Sequence, residues 1–274
     1  MKKFKPTSPG RRQMTVVDYS VLTGDKPYKP LLKNIPSRAG RNSQGRITMR
    51  HQGGGNKRRY RMVDFNGTDR LNQKATVKTI EYDPYRTAFI ALIEYADGVK
   101  RYMLAPHGLT AGQQVVTAEI APLVPGNRVQ LKNIPVGYQI CNVELRPRQG
   151  GVLARSAGSY AEVLANADGL SELKISSGEV RKVSWDSFAT IGQISNPEHG
   201  LVSLGKAGHS RWLGVRPTVR GSAMNPVDHP YGGGEGRQPR GTKRPKDIWG
   251  NVTGGRKTRN KRKWSNKMIV KRRK

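Results

Sequence analysis

The chain has 274 residues, 50 of them Lys or Arg against 19 Asp or Glu, giving a net charge of +31 although only 25% of the chain is charged. The sign of the charges is abnormal and their number ordinary, so a polyanion is expected to relieve the self-repulsion. The longest apolar run, Ala88 to Ile93, is far short of the ~20 residues of a bilayer span, the basic start at 1–12 lacks a signal peptide's apolar stretch, and Cys141 has no second cysteine for a disulfide or a paired zinc site.

No membrane, cofactor or metal is therefore expected, and the cytosol or an equivalent compartment is. Glycine supplies much of the small-residue content, with 32 residues, so one or two small cores with extended arms are expected rather than one large core.

In chain order, residues 1–60 carry 15 basic and 2 acidic residues and read as a basic, Gly- and Pro-rich N-terminal extension. Near its end lies His51-Gln-Gly53-Gly54-Gly55-Asn56-Lys57-Arg58-Arg59-Tyr60-Arg61, preceded by Arg46 and Arg50. Three glycines let backbone approach a phosphate closely, and the cations supply fork-shaped and point-charge donors to it. Tyr60 has two uses open to it: stacking on a base, or opening the core of the next element.

Residues 61–125 balance 7 basic against 7 acidic residues. Arg61–Phe65, Ala75–Tyr82, Thr87–Tyr95 and Val99–Leu104 read as strands, with turns at Asn66-Gly67, Asp83-Pro84 and Asp97-Gly98. Residues 126–195 carry 8 basic and 6 acidic residues, and Tyr138–Leu145, Tyr160–Ala165, Leu170–Ile175 and Glu179–Trp185 form a second strand series. This spacing suits two small barrels. Segments of helical period are too short for a reader of the DNA major groove.

Residues 196–274 carry 20 basic and 4 acidic residues and form a second Gly/Pro/Arg-rich extension. Gly200-Leu-Val-Ser-Leu-Gly205-Lys206 fits the phosphate loop G-x-x-x-x-G-K. However, Ala207 replaces the Ser or Thr that would bind magnesium, and Gly208 with Gly214 is expected to break the following helix. Beyond it, Lys206, Arg211, Trp212, Arg216, Arg220, Asn225, His229, Tyr231 and Arg237 recur among glycines and prolines, and Arg256, Lys257 and Arg259 follow. Such a strand suits threading into folded RNA, with guanidiniums on phosphates. Trp212, Trp249 and Trp264, lying where no protein core is evident, suit base stacking; Trp185 suits the second core. Asp228-His229 suggests an acid/base pair, but adjacent residues rarely face one another, and a phosphate or base contact is the commoner use of such a histidine.

RITMRHQGGGNKRRYR at 46–61, IEYDPYRTAFIAL at 80–92, GGVLARSAGSY at 150–160 and GKAGHSRWLGVRPTVRGSAMNPVDHPYGGGEGR at 205–237 closely resemble the family of the second protein of the large ribosomal subunit, bacterial type. The resemblance implies a mainly β chain: an oligonucleotide-binding (OB-fold-like) barrel at 61–125, then an SH3-like barrel at 126–195, between rRNA-embedded basic extensions at 1–60 and 196–274. It implies primary binding to large-subunit rRNA, a part in joining the subunits across small-subunit rRNA, neighbouring ribosomal proteins, and indirect support of tRNA binding and peptide bond formation. The implied location is a ribosome, cytoplasmic or organellar. The expected role is structural, with His229 the one candidate for a direct catalytic part; a DNA-packing protein is the remaining rival. The family usually carries histidine where this chain has Asn56 and Tyr231.

Overall fold

The computed structural model describes residues 1–24, 26–237 and 240–273. Its strands are β1 (Lys2–Lys3), β2 (Thr15–Val16), β3 (Leu32–Lys33), β4 (Tyr60–Arg61), β5 (Lys74–Glu81), β6 (Ile90–Tyr95), β7 (Lys100–Leu104), β8 (Gln114–Val116), β9 (Arg128–Gln130), β10 (Gln139–Cys141), β11 (Val143–Glu144), β12 (Gly151–Leu153), β13 (Ala161–Ala167), β14 (Leu170–Ile175), β15 (Val180–Ser184), β16 (Phe188–Ile191) and β17 (Ile269–Lys271). The α-helices among the described residues are short, α1 (Pro9–Arg12) and α2 (Ala207–Trp212). The chain is mainly β with several small sheets, in keeping with small barrel domains. Two compact units are present: Met1–Pro36, Lys57–His209 and the residues from Lys267 onward, and Ser37–Asn56 with Ser210–Asn266.

The first unit contains an antiparallel sheet in the order β7-β6-β5-β8 and another in the order β17-β15-β14-β13-β10-β16-β9. In β6, Ala91, Ile93 and Tyr95 enter one core with Ala75, Val77, Ile80 and Val115, while Ile90 and Leu92 enter another with Tyr102, Leu104, Cys141 and Ile194. Burial on both faces explains why this strand reads as a continuous apolar run instead of an alternation. The second core also draws on Cys141 and Ile194 from beyond the first sheet, so the two sheets share apolar burial. A third core is built from Val129, Ile140, Val163, Leu173, Val183 and Ile191 with their neighbours.

Part of the N-terminal stretch packs here as well. Val17 is buried in the first core, and the Tyr28 N–H donates to the Tyr102 hydroxyl at 2.7 Å, which in turn donates to Glu81 at 2.7 Å. Burial, followed by that bond to the carboxylate, pushes the Tyr102 phenol well above its usual range.

Several strands differ from the sequence expectation for local reasons. The expected strand at 61–65 pairs as a ladder only over β4, because Asp64 Oδ1 accepts the N–H groups of Asn66 and Gly67 and turns the backbone away. The expected strand at 138–145 is divided at Asn142, whose φ of 47° is left-handed. Strands β8, β9 and β16 carry no periodic signal: they are three or four residues long, and β9 buries Arg128 and Gln130 beside Val129. The helix expected to fail after Lys206 does form as α2; Gly208 is tolerated within it, and the chain leaves at Gly214 with φ 88°. Trp185, expected in the core, is half-buried.

Candidate nucleic-acid interface

In the second unit, residues 51–56 and 212–217, about 160 positions apart in the chain, are zipped together. Gln52 and Val215 form an antiparallel bridge; Gly53 N–H donates to Gly214 O at 2.8 Å, Asn56 N–H to Trp212 O at 2.9 Å, and Arg216 N–H to His51 O at 3.0 Å. His51 Nδ1 lies 2.8 Å from Pro217 O and therefore carries its proton there as donor. A Cβ on Gly55 would come within 2.9 Å of the Gly214 backbone, so this crossing admits only glycine. His51 and Gly53 are half-buried, while Gly54 and Gly55 are exposed. Two stretches far apart in the sequence thus form a single surface.

An open groove of about 680 Å³ follows the same strand pair, lined by Arg41, Ile47, Met49, Arg50, His51, Arg216 and Pro217 among others. Arg46, Arg50, Arg216 and Arg220 are exposed, and Arg211 is half-buried, donating to Val215 O at 2.8 Å. Trp212, Trp249 and Trp264 are 49%, 74% and 57% exposed, as expected for rings outside a core.

Residues 220–233 make a compact loop around an imidazole. His229 is only 8% exposed; its Nδ1 accepts the Tyr231 N–H at 3.1 Å, and Gly221 lies so close that a Cβ there would fall 2.5 Å from the ring. Sequence reasoning offered no orienting partner for His229, and the backbone of residue 231 supplies one. With Nδ1 accepting, the neutral ring carries its proton on Nε2. Gly232 N–H closes the turn onto His229 O, and a Cβ on Gly232 would lie 2.0 Å from Asn225 O. Asn225 itself is exposed.

Tyr231, half-buried, accepts the Lys246 N–H at 2.5 Å and the Thr242 hydroxyl at 3.2 Å. The bond from Thr242, the Lys246 N–H and the charges of Arg240 and Lys246 hold its phenol below the usual range, against partial desolvation. Arg237, Arg256, Lys257 and Arg259 are exposed, Arg259 donating to Asn266 Oδ1 at 2.7 Å and to Ser265 at 2.9 Å.

Lys57, Arg58, Arg59, Arg61 and Lys206 lie in the first unit, all exposed except the half-buried Arg61. The cluster has internal uses that its sequence did not reveal. Arg58 donates to Pro84 O at 3.0 Å and covers the Tyr85 ring at 4.7 Å, and Arg61 donates to Arg59 O at 2.7 Å. Tyr60 is half-buried, edge-on to Tyr85 and covered by Arg86. Beside them lies a groove of about 590 Å³ lined by Tyr60, Phe65, Tyr85, Arg86, Thr87, Leu104, Arg155 and Ser156. Arg86 is fixed by Asp83 at 2.7 Å, and Arg86 and Arg155 both lie over Phe65, at 5.2 and 4.5 Å. Aromatic faces interleaved with guanidiniums suit bases and phosphates. Sequence reading missed Arg86 and Arg155 because each is the lone cation of its stretch and only the fold joins them.

Family models match two stretches of the chain. Residues 28–117 match the RNA binding N-terminal domain of Ribosomal Proteins L2, and residues 124–250 match their C-terminal domain. The chain belongs to the ribosomal protein L2 family. It is accordingly a ribosomal protein of the large subunit that binds rRNA and serves translation. The first match takes in residues 51–56 and ends at the close of the β5–β8 sheet, and the second runs through residues 212–217 and the His229 loop to the Trp249 turn. Among the described residues no helix is long and apolar enough to cross a membrane.

Proposed function

We propose that the chain is a primary rRNA-binding protein that neutralises and orders large-subunit rRNA without itself catalysing a reaction. The observation carrying this reading is the joining of 51–56 to 212–217, which gathers Arg50, His51 and Arg216 along one groove. Arg46, Arg220, Arg237, Arg256, Lys257 and Arg259 of the same unit add phosphate contacts, and the first unit supplies its own set in Lys57, Arg58, Arg59, Arg61 and Lys206. Phosphate contacts of this kind position the protein and make its affinity salt-dependent.

Residues 61–125 and 126–195, nearly neutral, serve as OB-fold-like and SH3-like barrels that meet neighbouring ribosomal proteins and small-subunit rRNA, while the basic ends at 1–60 and 196–274 embed in large-subunit rRNA. Support of subunit joining, tRNA binding and peptide bond formation follows from holding that rRNA in shape, in a cytoplasmic ribosome. His229 acts by position: a ring 8% exposed, with one nitrogen spent on backbone and one face against Gly221, is a loop organiser.

Footprinting of the full chain on large-subunit rRNA, with duplex DNA as competitor, tests the reading. Discrete protections that survive excess duplex are expected. Protections erased by equal duplex would favour a general polyanion binder.

A further inference from the structure

We propose that Trp249 is a stacking post for one unpaired RNA base, standing at the rim of the groove that takes the flanking phosphates. The inference rests on the rRNA-binding reading and names one subsite within it.

The indole is presented by a tight hairpin. Lys246 and Val252 bridge, Asp247 N–H donates to Asn251 O at 2.9 Å, and Thr253 N–H donates to Pro245 O at 2.9 Å. Asp247 Oδ1 accepts the N–H groups of Trp249 at 2.9 Å and Asn251 at 2.8 Å, and Oδ2 accepts the Asn251 side-chain amide at 3.2 Å. Both oxygens of the carboxylate are thus spent on fixing the turn, which lowers the entropic cost of using the ring as a platform.

The ring is 74% exposed, the most exposed tryptophan of the chain, so the hairpin does not exist to bury it. The Arg50 guanidinium lies 5.8 Å from its centroid, a cation–π approach, and Arg50 also lines the groove with Arg41, His51 and Arg216. A flat π surface with one arginine against it, which also lines a groove holding Arg41 and Arg216, disfavours a cationic protein partner and favours a ligand that is aromatic and anionic at once. A nucleotide is that ligand: its base covers the indole and its phosphate meets Arg50.

The test uses the full chain, with anisotropy measured for an oligoadenylate of about twelve nucleotides and for an abasic ribose-phosphate strand of equal length. The parent is expected to prefer the base-bearing strand. Trp249→Ala should cut that preference by ~5- to ~140-fold, one base's stacking, leaving abasic-strand affinity and salt slope unchanged, and Trp249→Phe should restore most of it. An unchanged preference in Trp249→Ala overturns the stacking post while leaving the rRNA-binding reading intact, as does an equal loss on both strands. A parent that binds neither strand overturns both.

Discussion

At the scale of single residues, His229 carries the sharpest contrast between positioning and chemistry. A general base is worth ~10²–10⁴ in rate, whereas a neutral hydrogen bond such as that from Tyr231 N–H contributes ~0.5–1.5 kcal/mol. Single-turnover peptide bond formation by assembled particles carrying His229→Gln, followed from pH 6 to 8, is expected to fall by no more than about tenfold with its pH profile retained. A loss beyond ~100-fold with a vanished pH dependence would assign the chemistry to the imidazole. Gly221→Ala, whose methyl would collide with the ring, should disturb the loop that His229 organises and slow assembly of the particle, as measured by sucrose-gradient profiles of subunits.

Asp69 gives a pH prediction. The hydrogen bond from Arg101 holds its carboxyl low, outweighing desolvation. A lowered folded value means that the stabilisation is complete above the ordinary carboxylate range, ~4, and is lost as pH falls through the lowered value. Urea titrations from pH 7 downward should therefore show Asp69→Asn less stable than the parent at pH 7, with the deficit shrinking as the pH falls below the ordinary carboxylate range; a deficit that does not shrink on acidification would refute the ion pair. Cys141 is wholly buried, and burial raises its thiol to about 12. A thiol reagent at pH 8 should leave it unmodified in the native chain and label it once denatured.

At the scale of elements, the buried pair Arg128–Glu144 joins β9 to β11. Arg128 is 5% and Glu144 0% exposed; the guanidinium reaches Glu144 at 2.8 Å, Asn66 O at 2.9 Å and Asn142 O at 2.8 Å. Burial lowers the Arg128 pKa, and the partner carboxylate works against that shift. Glu144 also accepts the N–H groups of Arg148, Gly150 and Phe188. Breaking a buried pair costs ~3–5 kcal/mol, and apolar replacement of both partners often recovers it. Recovery is not expected here, because Arg128→Met with Glu144→Leu strands three backbone donors at ~1–3 kcal/mol each. Urea unfolding of the double variant should stay several kcal/mol below the parent, and parental stability would contradict the donor argument.

The elements also separate what was legible from what was not. Leu170–Ile175 is legible to the residue, because the alternation of Leu173 and Ile175 coincides with the turn signals Asp168-Gly169 and Ser177-Gly178 on either side. β9 was invisible, since a buried Arg and Gln in a three-residue strand look polar and exposed until their partners are known.

At the scale of the molecule, charge distribution made the polyanion legible, and the two glycine–arginine strings carried the family resemblance. Their pairing was not legible, since no local signal in 51–56 refers to residues 160 positions away; the information lies in close approach at Gly55 and Gly214. The same limit hid Arg86 and Arg155, and the internal uses of Arg58 and Arg61.

The central claim is that exposed cations on the joined strings bind rRNA phosphates, and salt dependence measures it directly. Each contacted phosphate contributes ~0.7 to ~0.9 to the slope of log K against log salt, on single strands and duplex respectively. For the full chain and large-subunit rRNA, replacing Arg46, Lys57, Arg216 and Arg220 by Gln is predicted to lower that slope by about 3, with urea stability unchanged because all four side chains are exposed. A slope equal to the parent's, whatever the loss of affinity, would contradict it.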